Sequence, residues 1–230
     1  MADKHHHHDD AHAPIEEPQG PPGEDELLEV ALRELLVERG VLSAGAVDQQ
    51  IDVIESRNPA LGAQVVARAW TDPAFHQALL SNPLDTLEKA FQLPMSGPVP
   101  VDLKVLENTP AVHNVVVCTL CSCYPRMLLG PPPAWYRASA YRSRVVREPR
   151  AVLREFGLEL PDSVEVRVSD STADMRYLVL PRRPEGTDGW SLEALSGLVT
   201  RDCMIGTAVP RDPSIEAHGL TTCEDAGDEP

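Results

Sequence analysis

Apolar residues recur at helical spacing through residues 24–91 of the chain. Two dipeptides, Asp72-Pro73 and Asn82-Pro83, each place a capping residue before a proline, as at many helix starts. Five helices are therefore predicted. The first spans 24–39, the second follows a cap at Ser43 and has Val47, Ile51 and Ile54 on one face, and the third spans 61–70. The fourth contains Phe75 and Leu79, and the fifth contains Leu84, Leu87 and Phe91.

Short β-signals replace the helical period after a Pro/Gly linker at 94–100. Strands are predicted at 101–106 and 112–118. Valines alternate with charged residues over 164–168, and the turn-forming residues 170–173 predict a hairpin that returns through 175–180. Three further elements are predicted, namely a helix from Pro149 to Gly157, a helix capped by Ser191, and a last edge strand over 205–209.

Together these patterns predict an α+β chain with four parts. They are a His/acid/Pro-rich disordered tail at 1–24, a helical arm at 25–93, a metal-binding catalytic domain at 94–210 and a loose acidic tail at 211–230. The apolar stripes of the arm have little of their own to enclose them, so we expect the arm to pack on the rest of the chain or on a partner subunit.

Composition narrows the possible partners. The formal net charge is −16, which argues against binding to nucleic acids or anionic membranes, because both need clustered cations. There is no apolar run of membrane-spanning length and no secretory signal pattern, so we expect a reducing, cytoplasmic location. His5–His8 fit either a purification tag or a native metal-scavenging tail.

A cysteine loop organises the second half of the chain. Cys118, Cys121 and Cys123 fall within six residues, directly after an apolar run and before Tyr124-Pro125. Three thiols this close cannot all pair as unstrained disulfides, but they can converge on one metal ion. Thiolates are soft ligands that select zinc, copper, iron or cobalt.

The loop and its surroundings resemble the nitrile hydratase alpha-subunit family, which includes the thiocyanate hydrolase gamma subunit. The loop itself reads VCTLCSCYP at 117–125. Further matching blocks, in the same order along the chain, are GAQVVARAWTDP at 62–73, YRSRVVREPR at 141–150, RPEGTDGW at 183–190 and VTRDCMIG at 199–206. The resemblance covers roughly residues 26–210 and implies a four-layer α/β/β/α domain.

The resemblance also implies the chemistry of the site. Cys118, Cys121 and Cys123 would bind Co(III) through sulfur, with the backbone amides of Ser122 and Cys123 as further ligands. Thr119 resembles the cobalt form and makes Fe(III) the second choice. Cys121 would be a sulfinate and Cys123 a sulfenate, both held by arginines of a beta-type partner. A metal-loading activator protein would supply the ion.

The implied activity is hydration of a nitrile to an amide, with Lewis-acid activation of the C≡N group. Water or the sulfenate oxygen of Cys123 would attack the carbon. Arg126 stands where many cobalt enzymes of the family have tryptophan, and thiocyanate hydrolases have arginine there. Thiocyanate hydrolysis is therefore the nearest alternative, since a cation attracts an anion. A pairing of Arg126 with a surface carboxylate, and a non-catalytic zinc-binding module, also stay open.

Overall fold

The computed structural model describes residues 23–55, 57–92, 101–121 and 123–214. The helices are α1 (Glu24–Glu38), α2 (Ala46–Glu55), α3 (Ala60–Thr71), α4 (Pro73–Ser81), α5 (Pro83–Phe91), α6 (Arg126–Leu129), α7 (Ala134–Arg137), α8 (Ser139–Arg144), α9 (Pro149–Glu155), α10 (Leu192–Gly197) and α11 (Arg201–Ile205). The strands are β1 (Asp102–Glu107), β2 (Val112–Val117), β3 (Glu165–Asp170) and β4 (Met175–Leu180). The linker at 94–100 and most of both predicted tails, with the histidine run, lie outside these residues.

The strands form two parallel pairs, β1 with β4 and β2 with β3. The two sheets meet through β2 and β4, while α4 and α5 pack on β1 and α9 packs on β3. This order is the expected α/β/β/α arrangement, and the predicted α+β class is confirmed. None of the described helices has the length and apolar character that a bilayer span requires.

The hairpin predicted from 164–168 and 175–180 is wrong. A tight turn does connect these segments, with Thr172 N donating to the carbonyl of Met175. After the turn the strands diverge into different sheets, because β2 is buried along almost its whole length and needs a partner beside it. Fully buried strands of this kind are typical of parallel sheets with both faces covered.

The edge strand predicted at 205–209 is also wrong. Residues up to Ile205 form the short helix α11, which buries Cys203, Met204 and Ile205. Thr200 caps this helix, since its hydroxyl accepts from Cys203 N at 3.3 Å. Gly206, at φ 92°, ends it. Short apolar runs do not by themselves distinguish a strand from a buried helix, and here the cap decides.

The five helices predicted in the first part of the chain are all present, but they differ in burial. Helix α3 buries six residues, whereas α1 buries none and leaves Leu28 65% and Leu32 54% exposed. Asp72 caps α4 by accepting from Phe75 N, as expected. Asn82 makes no such bond to α5, although the proline after it does begin that helix.

Candidate metal centre

Strand β2 brings the cysteine loop to the edge of the buried sheet. Cys118 follows the last residue of β2 and is 1% exposed, Cys121 is exposed, and Cys123 is intermediate. Their sulfur atoms all lie within 4.8 Å of one another. The structure therefore brings together the three thiols that the sequence singled out, whereas Ser122 lies outside the described residues.

The sulfur spacing can be compared with metal coordination. Cys121 Sγ lies 3.4 Å from Cys118 Sγ and 3.1 Å from Cys123 Sγ. With metal–sulfur bonds of about 2.3 Å, two sulfurs are about 3.3 Å apart at a right angle and about 3.8 Å apart at a tetrahedral angle. These two of the three sulfur–sulfur spacings suit right angles, and the donors are soft. This set fits a six-coordinate cobalt or iron ion better than a tetrahedral zinc ion.

Asp170 anchors the first turn of the loop. Its carboxylate accepts from Thr119 N at 2.9 Å and from the Thr119 hydroxyl at 2.5 Å. Arg142 holds the other side by donating to the Thr119 carbonyl at 3.2 Å. Sequence reasoning missed Asp170, because it placed this residue in the turn of a hairpin. In a parallel pair the carboxyl ends of β2 and β3 meet, and Asp170 then faces the loop.

Two tyrosines hydrogen-bond to the backbone at the two ends of the cysteine loop. Tyr136 OH donates to the Cys123 carbonyl at 2.9 Å, and Tyr141 OH donates to the Val116 carbonyl at 2.7 Å. Burial raises the pKa of both phenols, so they remain neutral donors. Trp135 packs edge to face on both rings. These contacts fix the backbone on each side of the cysteines.

A cleft of about 420 Å³ opens beside the thiols, and we call it the metal-side cleft. Cys121 and Cys123 line it together with Arg126, which the sequence had singled out. Arg57 and Arg176 also line it, and sequence reasoning missed both. Arg57 precedes α3 and Arg176 lies on β4, so no local pattern connects them to the loop.

Deprotonation of the Cys123 thiol is disfavoured by its surroundings in the chain. Burial and the hydrogen bond with Cys121 raise the pKa of Cys123 to about 12, and the positive charge of Arg176 opposes this shift. A bound metal ion would favour the thiolate, because only the deprotonated sulfur is a strong ligand.

Other candidate ligands lie away from the cluster. His113 is buried and bonded to the Gly206 carbonyl at 2.7 Å. Cys203 is buried in α11 and donates to the Thr200 carbonyl at 3.0 Å, and Cys223 lies outside the described residues. His113 and Cys203 therefore serve the fold.

Comparison with known proteins decides the family. The family model described as "Nitrile hydratase, alpha chain" matches residues 24–208. The chain belongs to the nitrile hydratase alpha-chain family. The matched range contains every described helix and strand, so the resemblance of the cysteine loop extends to the whole fold.

Curated relatives in the nitrile hydratase alpha-chain family carry two activities in their names. The chain is 50% identical to the nitrile hydratase subunit alpha of a Rhodococcus species over 186 residues, which are 80% of this chain and 92% of that one. It is 51% identical to the cobalt-containing subunit alpha of Pseudonocardia thermophila over 76% of this chain and 86% of that one. It is 45% identical to the thiocyanate hydrolase subunit gamma of Thiobacillus thioparus, over 81% and 80%.

The solved structures that resemble this chain include both cobalt and iron enzymes. A recombinant thiocyanate hydrolase with partially modified cobalt centres matches with a TM-score of 0.75 at 45% identity, over 83% of this chain and 92% of that one. A variant iron-type nitrile hydratase of Comamonas testosteroni Ni1 matches with a TM-score of 0.72 at 43% identity, over 81% and 90%. The nitrile hydratase alpha-type fold therefore accompanies both cobalt and iron.

Proposed function

We propose that this chain is the metal-bearing catalytic subunit of a cobalt-type nitrile hydratase, which converts a nitrile and water into an amide. The observation that carries the proposal is the cluster of three sulfurs within 4.8 Å at a cleft of small-molecule size. Relatives of about half identity whose names contain both nitrile hydratase and cobalt support it.

The proposed ligands are the sulfurs of Cys118, Cys121 and Cys123 with the backbone amides of Ser122 and Cys123. When bound, the metal would act as a Lewis acid toward the nitrile nitrogen, and this would make the nitrile carbon more susceptible to attack by a nucleophile. The chain holds the loop rigid through Asp170, Arg142 and Tyr136, so that the donors need little rearrangement on binding.

The proposed oxidation states are those that the family resemblance implies, and the exposure of the three sulfurs agrees with them. Cys118 is 1% exposed and stays a thiolate, whereas Cys121 is exposed and becomes the sulfinate. Cys123 is intermediate and becomes the sulfenate, whose oxygen and a water molecule are the two candidate nucleophiles.

A beta-type partner subunit completes the proposed enzyme. Helix α1 supports this, since Leu28 and Leu32 form part of an apolar face that nothing in the described residues covers. We further propose that an activator protein loads the metal and that the enzyme works in the cytoplasm, where its thiols remain reduced before loading.

Thiocyanate hydrolysis is the second candidate function, and one observation favours it. Arg126 lines the metal-side cleft and makes no ion pair with any carboxylate among the described residues. A free guanidinium beside the cysteine loop would attract thiocyanate from solution.

The test is metal analysis of the subunit purified with its beta-type partner and activator, followed by assays on acetonitrile, benzonitrile and thiocyanate. We expect near-stoichiometric cobalt, a mass increase of three oxygen atoms on the loop peptide, and amide formation. Iron with the same oxidation pattern would keep the chemistry and overturn the metal assignment. Zinc with reduced thiols would contradict the assignment as an enzyme and would favour a non-catalytic zinc-binding module.

A further inference from the structure

Three arginines from separate parts of the chain converge on the metal-side cleft. Arg57 lies in the connection before α3, Arg126 begins α6, and Arg176 is on β4. The chain as a whole carries 36 acidic and 20 basic residues, so a cluster of three cations beside the thiols is opposite in sign to the net charge of the chain. The fold therefore concentrates positive charge at this position.

These guanidiniums are not neutralised by the chain itself. Among the described residues, no carboxylate oxygen lies within 4.0 Å of a side-chain nitrogen of any of the three. Asp102 is the one carboxylate that lines the cleft within the described part of the chain. Arginine is permanently charged, so, apart from the cysteines, the described side chains that line the cleft carry more positive than negative charge at any physiological pH.

Backbone contacts hold the main chain of Arg57 and the side chain of Arg176 in place. The carbonyl of Arg57 packs against Gly130, where an added Cβ would lie 2.3 Å from that oxygen. Arg176 Nη1 donates to the carbonyls of Thr172, Ala173 and Met175. The fixed guanidinium of Arg176 loses little side-chain entropy when it binds an anion, and this makes it a good recognition group.

The rest of the lining is apolar, with Leu84, Leu103 and Met127 along the wall. A small inorganic anion would leave this surface uncovered. We infer that the metal-side cleft selects aliphatic nitriles that carry a carboxylate, with the carboxylate on Arg57 and Arg126 and the carbon chain against the apolar wall. This inference rests on the proposed function and names the substrate class of that same site.

The test uses cyanoacetate and cyanoacetamide, which have nearly the same shape and differ in charge. In the cobalt-loaded complex we expect Arg57→Leu to lower the ratio of their kcat/KM values, cyanoacetate over cyanoacetamide, about tenfold, as loss of one charge-assisted contact predicts. Arg57→Lys should recover part of that ratio. Added salt should raise the KM for cyanoacetate and leave the KM for cyanoacetamide unchanged, because salt screens the attraction between charged groups.

The matched control is Arg182→Leu. This exposed arginine lies outside the metal-side cleft, and its replacement removes the same charge from the chain. An effect equal to that of Arg57→Leu would show that net charge, not the cleft, governs the ratio, and would overturn the inference. A binding measurement of cyanoacetate to the metal-free complex gives a readout independent of turnover, and we expect weaker binding after Arg57→Leu.

The outcomes separate the inference from the proposed function. If the wild-type complex hydrates cyanoacetamide and the ratio is the same in Arg57→Leu, the inference is overturned and the proposed function stands. If the cobalt-loaded complex hydrates neither nitrile, the proposed function is overturned. If Arg57→Leu lowers turnover of thiocyanate but leaves the ratio for the two nitriles unchanged, the carboxylate assignment is wrong.

Discussion

Two clefts open at opposite ends of the same pair of sheets, and their chemistry differs. The metal-side cleft lies where β2 ends and where β1 and β4 begin. The second, which we call the far cleft, lies where β1 and β4 end and where β2 and β3 begin, and its lining includes Asn108, His113 and Arg183. The far cleft is the larger, at about 590 Å³ against about 420 Å³.

Several polar groups of the far cleft are used by the fold. His113 Nε2 donates to the Gly206 carbonyl, and its Nδ1 lies 3.3 Å from the side-chain nitrogen of Asn108. Arg183 donates to Thr187 and to the carbonyl of Trp70. In the metal-side cleft, by contrast, the side chains of Arg57 and Arg126 make no hydrogen bond or ion pair among the described residues, and they remain available to a ligand. Unused bonding capacity, and not volume, therefore indicates the functional end of the molecule.

The largest expected effect is at the metal-side cleft. Cys121→Ala removes the sulfur that lies close to both other sulfurs, so we expect loss of metal retention and of activity to background. Cobalt content and nitrile hydration of the purified complex measure this. Cys203→Ala is the control, because that thiol lies in α11, and the variant should keep its cobalt. Retained cobalt and turnover in Cys121→Ala would contradict the ligand assignment.

The second effect is on the fold near the far cleft. A Cβ on Gly206 would lie 1.9 Å from the Asn114 carbonyl oxygen, and the φ of 92° strains any other residue. We expect Gly206→Ala to lower the free energy of unfolding by more than about 3 kcal/mol. Urea denaturation followed by circular dichroism measures it. Gly197→Ala meets no atom within 4 Å and should change stability by less than about 1 kcal/mol.

The third effect is on the anchor of the cysteine loop. Asp170→Asn keeps one acceptor oxygen but loses the charge that binds both donors of Thr119, at a cost of about 1 kcal/mol for this exposed site. We expect several-fold faster release of cobalt to a chelator. Asp162→Asn, an exposed change away from the loop, should release cobalt at the wild-type rate. Equal rates in both variants would mean that Asp170 does not hold the loop.

The smallest effect is a pH dependence that comes from His113. Burial lowers its pKa below 6.5, although the hydrogen bond to Gly206 partly opposes this. Below about pH 6.5, His113 becomes protonated in the unfolded chain but stays neutral in the folded chain until a lower pH. The free energy of unfolding therefore falls as the pH falls below this value, and it is unaffected at higher pH. The slope for one group is at most about 1.4 kcal/mol per pH unit.

The measurement compares the unfolding free energies of the wild-type protein and His113→Gln between pH 7 and pH 5. Glutamine does not titrate, so the variant should show a shallower loss of stability on the acid side, whatever its stability at neutral pH. Parallel curves for the two proteins would show that His113 does not contribute to the acid sensitivity. The other described histidine, His76, is present in both proteins and cancels in the comparison.

Local patterns predicted much of this molecule. The helical period of the apolar residues predicted α1 through α5, and Ser191 and Asp72 cap the helices that they were expected to cap. The thiol cluster was also predictable, because Cys118, Cys121 and Cys123 fall within six residues and any compact loop brings them together. The resemblance to the nitrile hydratase alpha chain was carried by the same continuous stretches.

Strand pairing and the lining of the cleft depended on the tertiary structure. The sequence favoured a hairpin between β3 and β4, since a short turn joins them at little cost in chain entropy. Burial of β2 instead recruits β3 as a parallel partner, and this pairing places Asp170 against Thr119. Arg57 and Arg176 line the same cleft as Cys121 and Cys123 only because of the way α3 and β4 pack.

The amino-acid sequence alone therefore determined the helices α1 to α5, α9 and α10, the cysteine loop and the family, because each depends on residues that are close together along the chain. The tertiary structure decided which strands pair, which end of the sheets keeps unused bonding capacity, and which arginines face the metal-side cleft. These features depend on contacts between distant segments, which form to bury apolar faces. No periodicity along the sequence records which distant segments will meet.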